Sequence, residues 1–362
     1  MVLPSQIQRL QHLETLEFSG WLIDLSIPSG IVDLPRLSQT LEFSGWLIDL
    51  SIPSGIVDLP RLSHLIVPHN LGLPDGIGKL SSLCTLVGFG LLESSSENIR
   101  ALGALTNLVD LDLTCSEGIS FQEKESSEET SSECMLTKTC ALSSALEKLS
   151  RLKQIQIWGA KYCRGDTLSS LSPPFHRLER LEISCVAFPR VPKWIGSLRD
   201  LRKLTLVVDE ISNSSWKDVA IIGMLPSLVF LNLQITGVPA ERIVITGFPV
   251  LKRFIFDCDG ISRLSFEAGA MPNLWVLELQ FHPGQWDQAA PAGLEHLRSL
   301  EEITATKVQY FSSLMRESCT RGEEAEKANV LIRVVFQEAV GAHPTSPTFT
   351  FQPKRWLGRL ST

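Results

Sequence analysis

One stretch of the sequence comes close to a nucleotide-binding phosphate loop. Gly76, Gly78 and Lys79 lie in the segment LPDGIGKLSS. A phosphate loop, G-x-x-x-x-G-K-[ST], surrounds phosphates with backbone amides and follows them with a lysine and a hydroxyl group. Here Leu73 occupies the first glycine position and Leu80 the hydroxyl position. The segment therefore predicts a turn that binds no nucleotide, and we expect no cofactor.

A second stretch resembles part of a calcium-binding loop. It contains Asp257, Asp259 and Gly260. Aligning Gly260 with the invariant glycine of that loop puts Ile255 and Phe266 at the first and last ligand positions, where oxygen ligands are required. The chain also contains no zinc-like cysteine and histidine spacing, no H-E-x-x-H and no G-x-S-x-G. The sequence therefore predicts neither a metal site nor an enzyme.

The cysteines are more informative about packing than about chemistry. Eight are present, with no C-x-x-C pair. Cys115, Cys185 and Cys258 each follow a strand-like hydrophobic residue by two positions, which turns them to the same side of a strand. We predict that these three are buried packing residues without disulfides.

The elements that must position any binding residue are set by the segment LPRLSHLIVPHN. Leu59, Leu62, Leu65 and Val67 are spaced three, three and two residues apart, and Asn70 follows three residues later. Leu65 and Val67 would point to one face of a short strand. The asparagine can hydrogen-bond the backbone where the chain turns away. This is the L-x-x-L-x-L-x-x-N pattern of a leucine-rich repeat.

The same frame recurs along the chain, mostly at intervals of about 21–27 residues. We predict an α/β fold, a curved leucine-rich-repeat solenoid of about twelve coils over residues 1–310. Its parallel β-sheet would lie on the concave face, and irregular or short-helical segments on the convex face. The other coils begin at Leu10, Leu34, Leu80, Leu105, Leu149, Phe175, Leu198, Leu225, Phe248, Met271 and Leu297.

Two coils are copies of each other. Residues 15–38 and 40–63 are identical, with a period of 25. The step from Leu37 to Leu41 is four residues where the matching step in other coils is three, which predicts a bulge in the second copy. The copy is either a recent duplication or an error in gene assembly.

An acidic insertion interrupts the coils between Leu113 and Leu149. Its segment SEGISFQEKESSEETSSE carries six glutamates against one lysine. Such a composition cannot bury apolar area, so we predict a solvated loop at residues 116–140.

The C-terminal segment, residues 311–362, is predicted to close the array. Apolar residues recur there at helical spacing, glutamates lie in the first turn, and Gly341 and Pro344 end the pattern. We predict an amphipathic helix that covers the last coil, followed by a strand in FTFQPKRW. The apolar positions of the helix are Ala325, Ala328, Leu331, Ile332, Val335, Phe336 and Ala339.

Residues that flank the inward strand hydrophobes should point out of the concave sheet into solvent. Asp110 and Asp112 occupy such positions, as do two aromatic residues, and aromatic and arginine side chains are favoured as interface anchors. The alternative is that these aromatic side chains only cover their neighbours. The predicted protein-binding surface comprises Trp158, Arg180, Glu182, Lys203, Phe230, Arg253 and Glu278.

Composition excludes several classes of partner. The net charge is −7 and no long basic run is present, which argues against nucleic acid or an anionic membrane as the main partner. No window approaches the roughly 18 consecutive apolar residues of a membrane span. The opening MVLPSQIQRLQHL lacks the charged and apolar regions of a signal peptide. We expect a cytoplasmic protein.

The coils resemble those of plant leucine-rich repeats. The units LPSQIQRLQHL, IPSGIVDLPRL, LPDGIGKLSSL and VPKWIGSLRDL are similar to the plant pattern L/I-P-x-x-I-x-x-L-x-x-L. GLEHLRSLEEI, a helix rich in Glu and Ala, and then AHPTSPTF resemble the C-terminal end of cereal nucleotide-binding leucine-rich-repeat disease-resistance proteins. The resemblance covers nearly the whole chain. The coiled-coil and nucleotide-binding domains of that family have no counterpart in this sequence.

Membership of this family implies a role in innate immunity. The resemblance implies recognition of pathogen effectors or host proteins, and control of a nucleotide-binding switch in the same protein or on a separate chain. Leu10, Leu13 and Leu16 open the first coil without a polar cap, so we expect this edge to dock such a domain. One alternative is an intracellular scaffold that binds signalling GTPases. A receptor ectodomain is disfavoured by the missing signal peptide and the unpaired cysteines.

Overall fold

A computed structural model describes most of the chain. The described residues are 14–19, 22–23, 39–44, 47–48, 52, 54–59, 61–68, 72–115, 128–159, 163–172, 175–209, 216–236, 239, 241–281, 286–309 and 322–356. The chain forms two compact units, Met1–Val186 and Ala187–Thr362.

The first unit is built from short strands connected by helical turns. Its strands are β1 (Thr15–Ser19), β2 (Leu22–Ile23), β3 (Thr40–Ser44), β4 (Leu47–Ile48), β5 (His64–Ile66), β6 (Thr85–Gly90), β7 (Asp110–Thr114), β8 (Gln154–Trp158), β9 (Cys163–Arg164) and β10 (Arg180–Phe188), which begins in this unit. Its helices are α1 (Ser96–Ala101), α2 (Glu128–Leu146) and α3 (Asp166–Ser169), with 3-10 turns at Ser54–Asp58, Ile77–Lys79 and Leu102–Ala104.

One row of hydrophobic residues runs through the sheet of the first unit. Strands β1, β3, β5, β6, β7, β8 and β10 pair in that order, each pair parallel. The register aligns one hydrophobic residue of every coil, so each coil buries its leucine against the next. Six of these seven residues have at most 1% of their surface exposed, and Leu16 in the first strand is half-buried. The row is Leu16, Leu41, Leu65, Leu86, Leu111, Ile155 and Leu181.

Strand β6 contains a bulge at Gly88. The pairing with β7 shifts between Leu86 and Phe89, so Phe89 takes the buried place that strict alternation would give to residue 88. Gly88 has φ +86°, and a Cβ there would lie 1.8 Å from the carbonyl oxygen of Val67. Only glycine permits this close approach.

The predicted loop over residues 116–140 is wrong for its second part, because residues from 128 onward belong to α2. The helix extends to Leu146 and buries Ala141, Leu142 and Ala145. These apolar residues follow the acidic segment and supply one helix face, so the helix continues back into the glutamate-rich sequence. Residues 116–127 lie outside the described part.

The second unit repeats the same construction. Its strands are β11 (Lys203–Asp209), β12 (Phe230–Thr236), β13 (Ile243–Ile245), β14 (Arg253–Asp257), β15 (Leu264–Phe266), β16 (Val276–Phe281), β17 (Glu302–Gln309) and β18 (Thr348–Trp356). Helices α4 (Trp216–Gly223) and α5 (Gly322–Gly341) and 3-10 turns at Lys193–Ser197, Ile261–Arg263 and Leu294–His296 connect them. Parallel pairing in the order β11, β12, β14, β16, β17, β18 aligns Leu204, Leu231, Phe254, Leu277, Ile303 and Phe349.

The C-terminal helix and strand are present as predicted. Ile332 and Phe336 of α5 are fully buried, and the Phe336 ring stacks on Phe349 with a centroid distance of 5.4 Å. Buried His343 joins this region to the preceding coil, because its Nε2 lies 2.9 Å from the carbonyl oxygen of Leu294. Strand β18 pairs with β17, so the tail extends the sheet beyond Ile303. The proposed division at residues 310 and 311 stays a prediction.

The repeat frame and the packing role of the cysteines are confirmed. Cys115, Cys185 and Cys258 lie outside any disulfide, and each has at most 3% of its surface exposed. The helices within the described ranges include none that is long and apolar enough to cross a membrane. Asn70, the bulge expected after Leu37 and the open edge at Leu10 lie outside the described residues.

Candidate protein-binding surface

The strands that pair in the two orders given above are called here the main strands; they exclude β2, β4, β9, β13 and β15. The side of the main strands opposite the buried hydrophobic row is called the strand face of each unit. The seven predicted binding residues all lie on main strands, and they divide between the units. Trp158, Arg180 and Glu182 lie on β8 and β10 in the first unit. In the second unit, Lys203, Phe230, Arg253 and Glu278 lie on β11, β12, β14 and β16.

Trp158 is held against the strand face by a hydrogen bond. Its Nε1–H donates to Oδ1 of Asp112 at 2.6 Å. The register that pairs Trp158 with Thr114 places the indole beside β7, where it reaches back along that strand to the aspartate. Trp158 is half-buried, so part of its side chain remains exposed to solvent.

Glu182 is not the solvated residue that the strand alternation predicts. Only 8% of its surface is exposed, and its carboxylate forms an ion pair with Arg180 two residues earlier on the same strand. Neighbouring parallel strands lie only about 4.8 Å apart, so side chains on an outward face cover one another. Arg180 remains more open, with 36% of its side chain exposed.

Two aspartates of β7 complete this group. The pKa of Asp112 is raised to about 6, chiefly by burial and also by the charge of Glu182, while the Trp158 hydrogen bond and Arg180 oppose the rise. Burial also raises the pKa of Asp110, although His64, Lys153 and Arg180 oppose the change. Oδ1 of Asp110 is buried and has no hydrogen-bond partner in the described part of the chain.

These aspartates line a shallow depression of about 140 Å³. The sequence placed both on the outward face, but they were not among the seven predicted binding residues. The signal that could have identified them is the acidic pair alternating around Leu111. The remaining lining side chains come from Thr85, Val87, Leu111, Gln154 and Gln156.

In the second unit the predicted residues form two contacts. The Nζ of Lys203 lies 5.0 Å from the centroid of the half-buried Phe230 ring, a cation–π arrangement. Nη2 of Arg253 lies 3.2 Å from Oε2 of Glu278, whose Oε1 accepts a hydrogen bond from Gln280 at 2.7 Å. Glu278 is 6% exposed, so it too is buried where solvent exposure was expected. It therefore anchors Arg253 and is not itself available to a partner.

One exposed aromatic residue of this unit was missed. Trp275 has 52% of its surface exposed and precedes β16. In the repeat frame the residue that flanks the inward Leu277 on its N-terminal side is Val276, so the frame gives Trp275 no outward position. Its type and its place directly after the buried Leu274 were the available signal.

The described residues offer no centre for metal chemistry. Among them, no cluster of three or more His, Cys, Asp or Glu side chains could hold an ion. What the strand faces present is aromatic, cationic and acidic groups held in fixed positions by hydrogen bonds and ion pairs. Of these groups, the aromatic and arginine side chains are the types favoured as interface anchors.

Coils that each contribute one parallel strand and one return segment define the class of leucine-rich-repeat proteins. The family model of leucine-rich repeat regions matches residues 5–349, and the chain belongs to that family.

The predicted resemblance to cereal disease-resistance proteins is confirmed by the relatives. Disease resistance protein RGA5 of Oryza sativa subsp. japonica is 34% identical over 352 residues, which cover 94% of this chain and 27% of that protein. Disease resistance protein Pik-2 of the same rice is 27% identical, over 83% of this chain and 30% of that protein. The chain thus spans less than a third of the length of these relatives.

Solved structures with a similar course include a leucine-rich-repeat protein of Leptospira interrogans, 19% identical with a TM-score of 0.43 over 84% of this chain and 86% of that one. An internalin of Listeria monocytogenes is 16% identical with a TM-score of 0.41, over 77% of this chain and 70% of that one.

Proposed function

We propose that this chain is a protein-binding leucine-rich-repeat module of plant innate immunity and not an enzyme. Its strand faces would bind a protein partner in the cytoplasm, which is a pathogen effector, a host protein or a nucleotide-binding domain in the same protein or on a separate chain, and this binding would regulate a nucleotide-binding defence switch. The observation that carries the proposal is the identity of 34% to a rice disease-resistance protein along 94% of the chain.

The geometry of the first unit supports a binding role for its strand face. The Trp158 indole is fixed by Asp112, and the Arg180 side chain is fixed by Glu182. Both side chains remain partly exposed. Side chains held in place before binding lose less conformational entropy when a partner arrives. Trp and Arg are also the residue types that most often dominate interface energies.

The first test uses a nucleotide-binding domain of a cereal disease-resistance protein, supplied as a separate chain, as the probe. Co-precipitation with the 362-residue protein is expected. Trp158→Ala and Arg180→Ala should each weaken the association by roughly tenfold, the effect typical of interface anchors. Lys193→Ala changes an exposed residue on a 3-10 turn and should leave binding unchanged.

Thermal melting separates loss of binding from loss of fold. Arg180→Ala leaves the buried Glu182 without its ion pair, so a lowered melting temperature is expected for that variant. Trp158→Phe keeps an aromatic ring and removes the N–H donor to Asp112, so it is a milder companion to Trp158→Ala. Binding that responds to Lys193→Ala but not to the Trp158 variants would contradict the proposed surface.

A further inference from the structure

A second surface lies at the entry ends of the strands in the second unit. In five consecutive main strands, two residues precede the inward hydrophobe, and we call these ten residues the entry row. Backbone hydrogen bonds keep the row in register: both amides of each pair donate to the carbonyl of the first residue of the preceding pair. The row consists of Arg202 and Lys203, Val229 and Phe230, Lys252 and Arg253, Trp275 and Val276, and Glu301 and Glu302.

The chemistry of the entry row alternates from strand to strand. Two cations are followed by two apolar residues, two cations, two apolar residues and finally two anions. The first residue of every pair is exposed, including the apolar ones, with 36% for Val229 and 52% for Trp275. Cations clustered beside an exposed tryptophan stand out on a chain whose net charge is −7.

The second residues of the pairs are tied to the sheet. Lys203 lies over Phe230, and Arg253 pairs with Glu278. The first residues, by contrast, extend toward solvent. Within the described part of the chain, Arg202 and Lys252 form no ion pair with a carboxylate. The entry row therefore presents Arg202, Lys252 and Trp275 outward from a fixed base.

Spacing selects the conformation of a ligand lying across these strands. Neighbouring strands are about 4.8 Å apart, so like pairs recur about every 9.6 Å. An α-helix rises about 10.5 Å over seven residues and returns to the same face. An extended segment covers about 9.9 Å in three residues, but residues three apart in a strand point to opposite sides. A polyproline II segment also returns to one face, about every 9.3 Å, but it places no side chain on that face halfway, where the apolar pairs lie. The helix matches the spacing and direction of the like pairs, and its residues three or four positions on face the pairs between them.

We infer that the entry row docks an acidic amphipathic α-helix of a partner protein. Carboxylates one heptad apart would meet the two cationic pairs, apolar side chains between and after them would pack on Val229 and Trp275, and a lysine would meet Glu301. Placing the acids toward the helix N-terminus and the lysine toward the C-terminus suits the helix dipole and fixes the orientation. The inference rests on the proposed protein-binding function and gives the chemistry of one partner.

The test is fluorescence anisotropy with a synthetic fluorescein-labelled helical peptide and the full 362-residue chain. The peptide carries glutamates about seven residues apart, a leucine about four residues after each glutamate, and a lysine near its C-terminal end. All other positions are Ala or Gln. Binding should weaken as salt is raised. Trp275→Ala and Lys252→Glu should each weaken it at least about tenfold. Lys193→Glu, at an exposed position outside the row, should weaken it much less.

A charge exchange provides the sharpest readout. A peptide with lysines in place of the glutamates should bind poorly to the natural chain and better to Lys252→Glu. A scrambled peptide that binds equally well would overturn the inference. Peptide binding that neither Trp275→Ala nor Lys252→Glu weakens would overturn it as well. Trp275-dependent self-association in sedimentation experiments would overturn it too, because a second copy would then be the occupant. If the peptide does not bind, while Trp158→Ala still weakens association with the nucleotide-binding domain, this inference is rejected and the proposed function stands.

Discussion

Asp112 shows at the residue scale how an outward-pointing group can become buried. It accepts the Trp158 N–H, lies near Glu182 and has only 8% of its surface exposed. The ordinary pKa of this carboxyl is 3.8, and in the folded chain burial raises it to about 6. Between about pH 4 and pH 6 the folded protein therefore holds a proton that the unfolded chain releases.

Because the folded-state pKa is raised, the stabilising contribution of protonated Asp112 is complete below about pH 4 and is lost as pH rises through about 6. At pH 7 the carboxylate is ionised in a site that disfavours charge. We expect Asp112→Asn, which keeps an acceptor for Trp158, to raise the free energy of unfolding at pH 7 by about 1–3 kcal/mol. Near pH 4 the same change should have little effect.

Urea unfolding of both proteins at the two pH values measures this difference. Asp58→Asn is the matched control, since Asp58 is an exposed carboxylate paired with Lys79 and should respond weakly at either pH. A less stable Asp112→Asn protein at pH 7 would show that the carboxylate stabilises the fold on balance.

The alternating pattern predicted direction correctly but not exposure. It placed Asp112, Glu182 and Glu278 on the outward face, where the structure has them, and it implied contact with solvent, which the structure denies. The pattern reports one strand at a time. Burial on this face comes from side chains of adjacent strands, and a single-strand pattern carries no information about those neighbours.

At the scale of the element, the strands follow from one physical requirement. Each coil must bury the same few apolar side chains against its neighbours, so spacing alone fixes their register. Leu181 pairs with Ile155 and is 1% exposed, and Glu182 beside it points to the other face.

We expect Leu181→Asp to destabilise the protein by several kcal/mol, because it places an unpaired charge in the core. Glu182→Gln removes an ion pair whose arginine stays partly in solvent and should cost no more than about 1 kcal/mol. Denaturant unfolding of the two variants provides the comparison. Equal losses would mean that the register assigned to β10 is wrong.

Two elements were beyond reach of the sequence pattern. The bulge in β6 depends on how closely Gly88 approaches Val67, a contact between coils. Helix α2 begins in a segment whose average composition is that of a solvated loop, and its burial comes from Ala141, Leu142 and Ala145 further along. In both cases the deciding contacts lie outside the window that the composition describes.

At the scale of the whole molecule, the sequence predicted the fold class because the signal repeats in nearly every coil. The binding surfaces do not repeat in this way, because each outward position is filled independently. Trp275 was missed because it lies one residue before the outward position of its strand. The chain corresponds to only part of its rice relative: it is 34% identical to that protein but spans 27% of its length.

The last prediction concerns nucleotides, which the 362-residue chain should not bind by itself. The segment that approaches a phosphate loop is a 3-10 turn at Ile77–Lys79, and the Nζ of Lys79 pairs with Asp58 at 2.9 Å. Gly78 packs so closely on α1 that a Cβ there would lie 2.8 Å from the carbonyl oxygen of Ala101, so its side of the turn has no room for a phosphate. Calorimetric titration with ATP or GTP should give no saturable heat, and Lys79→Ala should give the same trace. Micromolar affinity that disappears in Lys79→Ala would show that this turn rearranges into a phosphate site and that the switch resides in the chain itself.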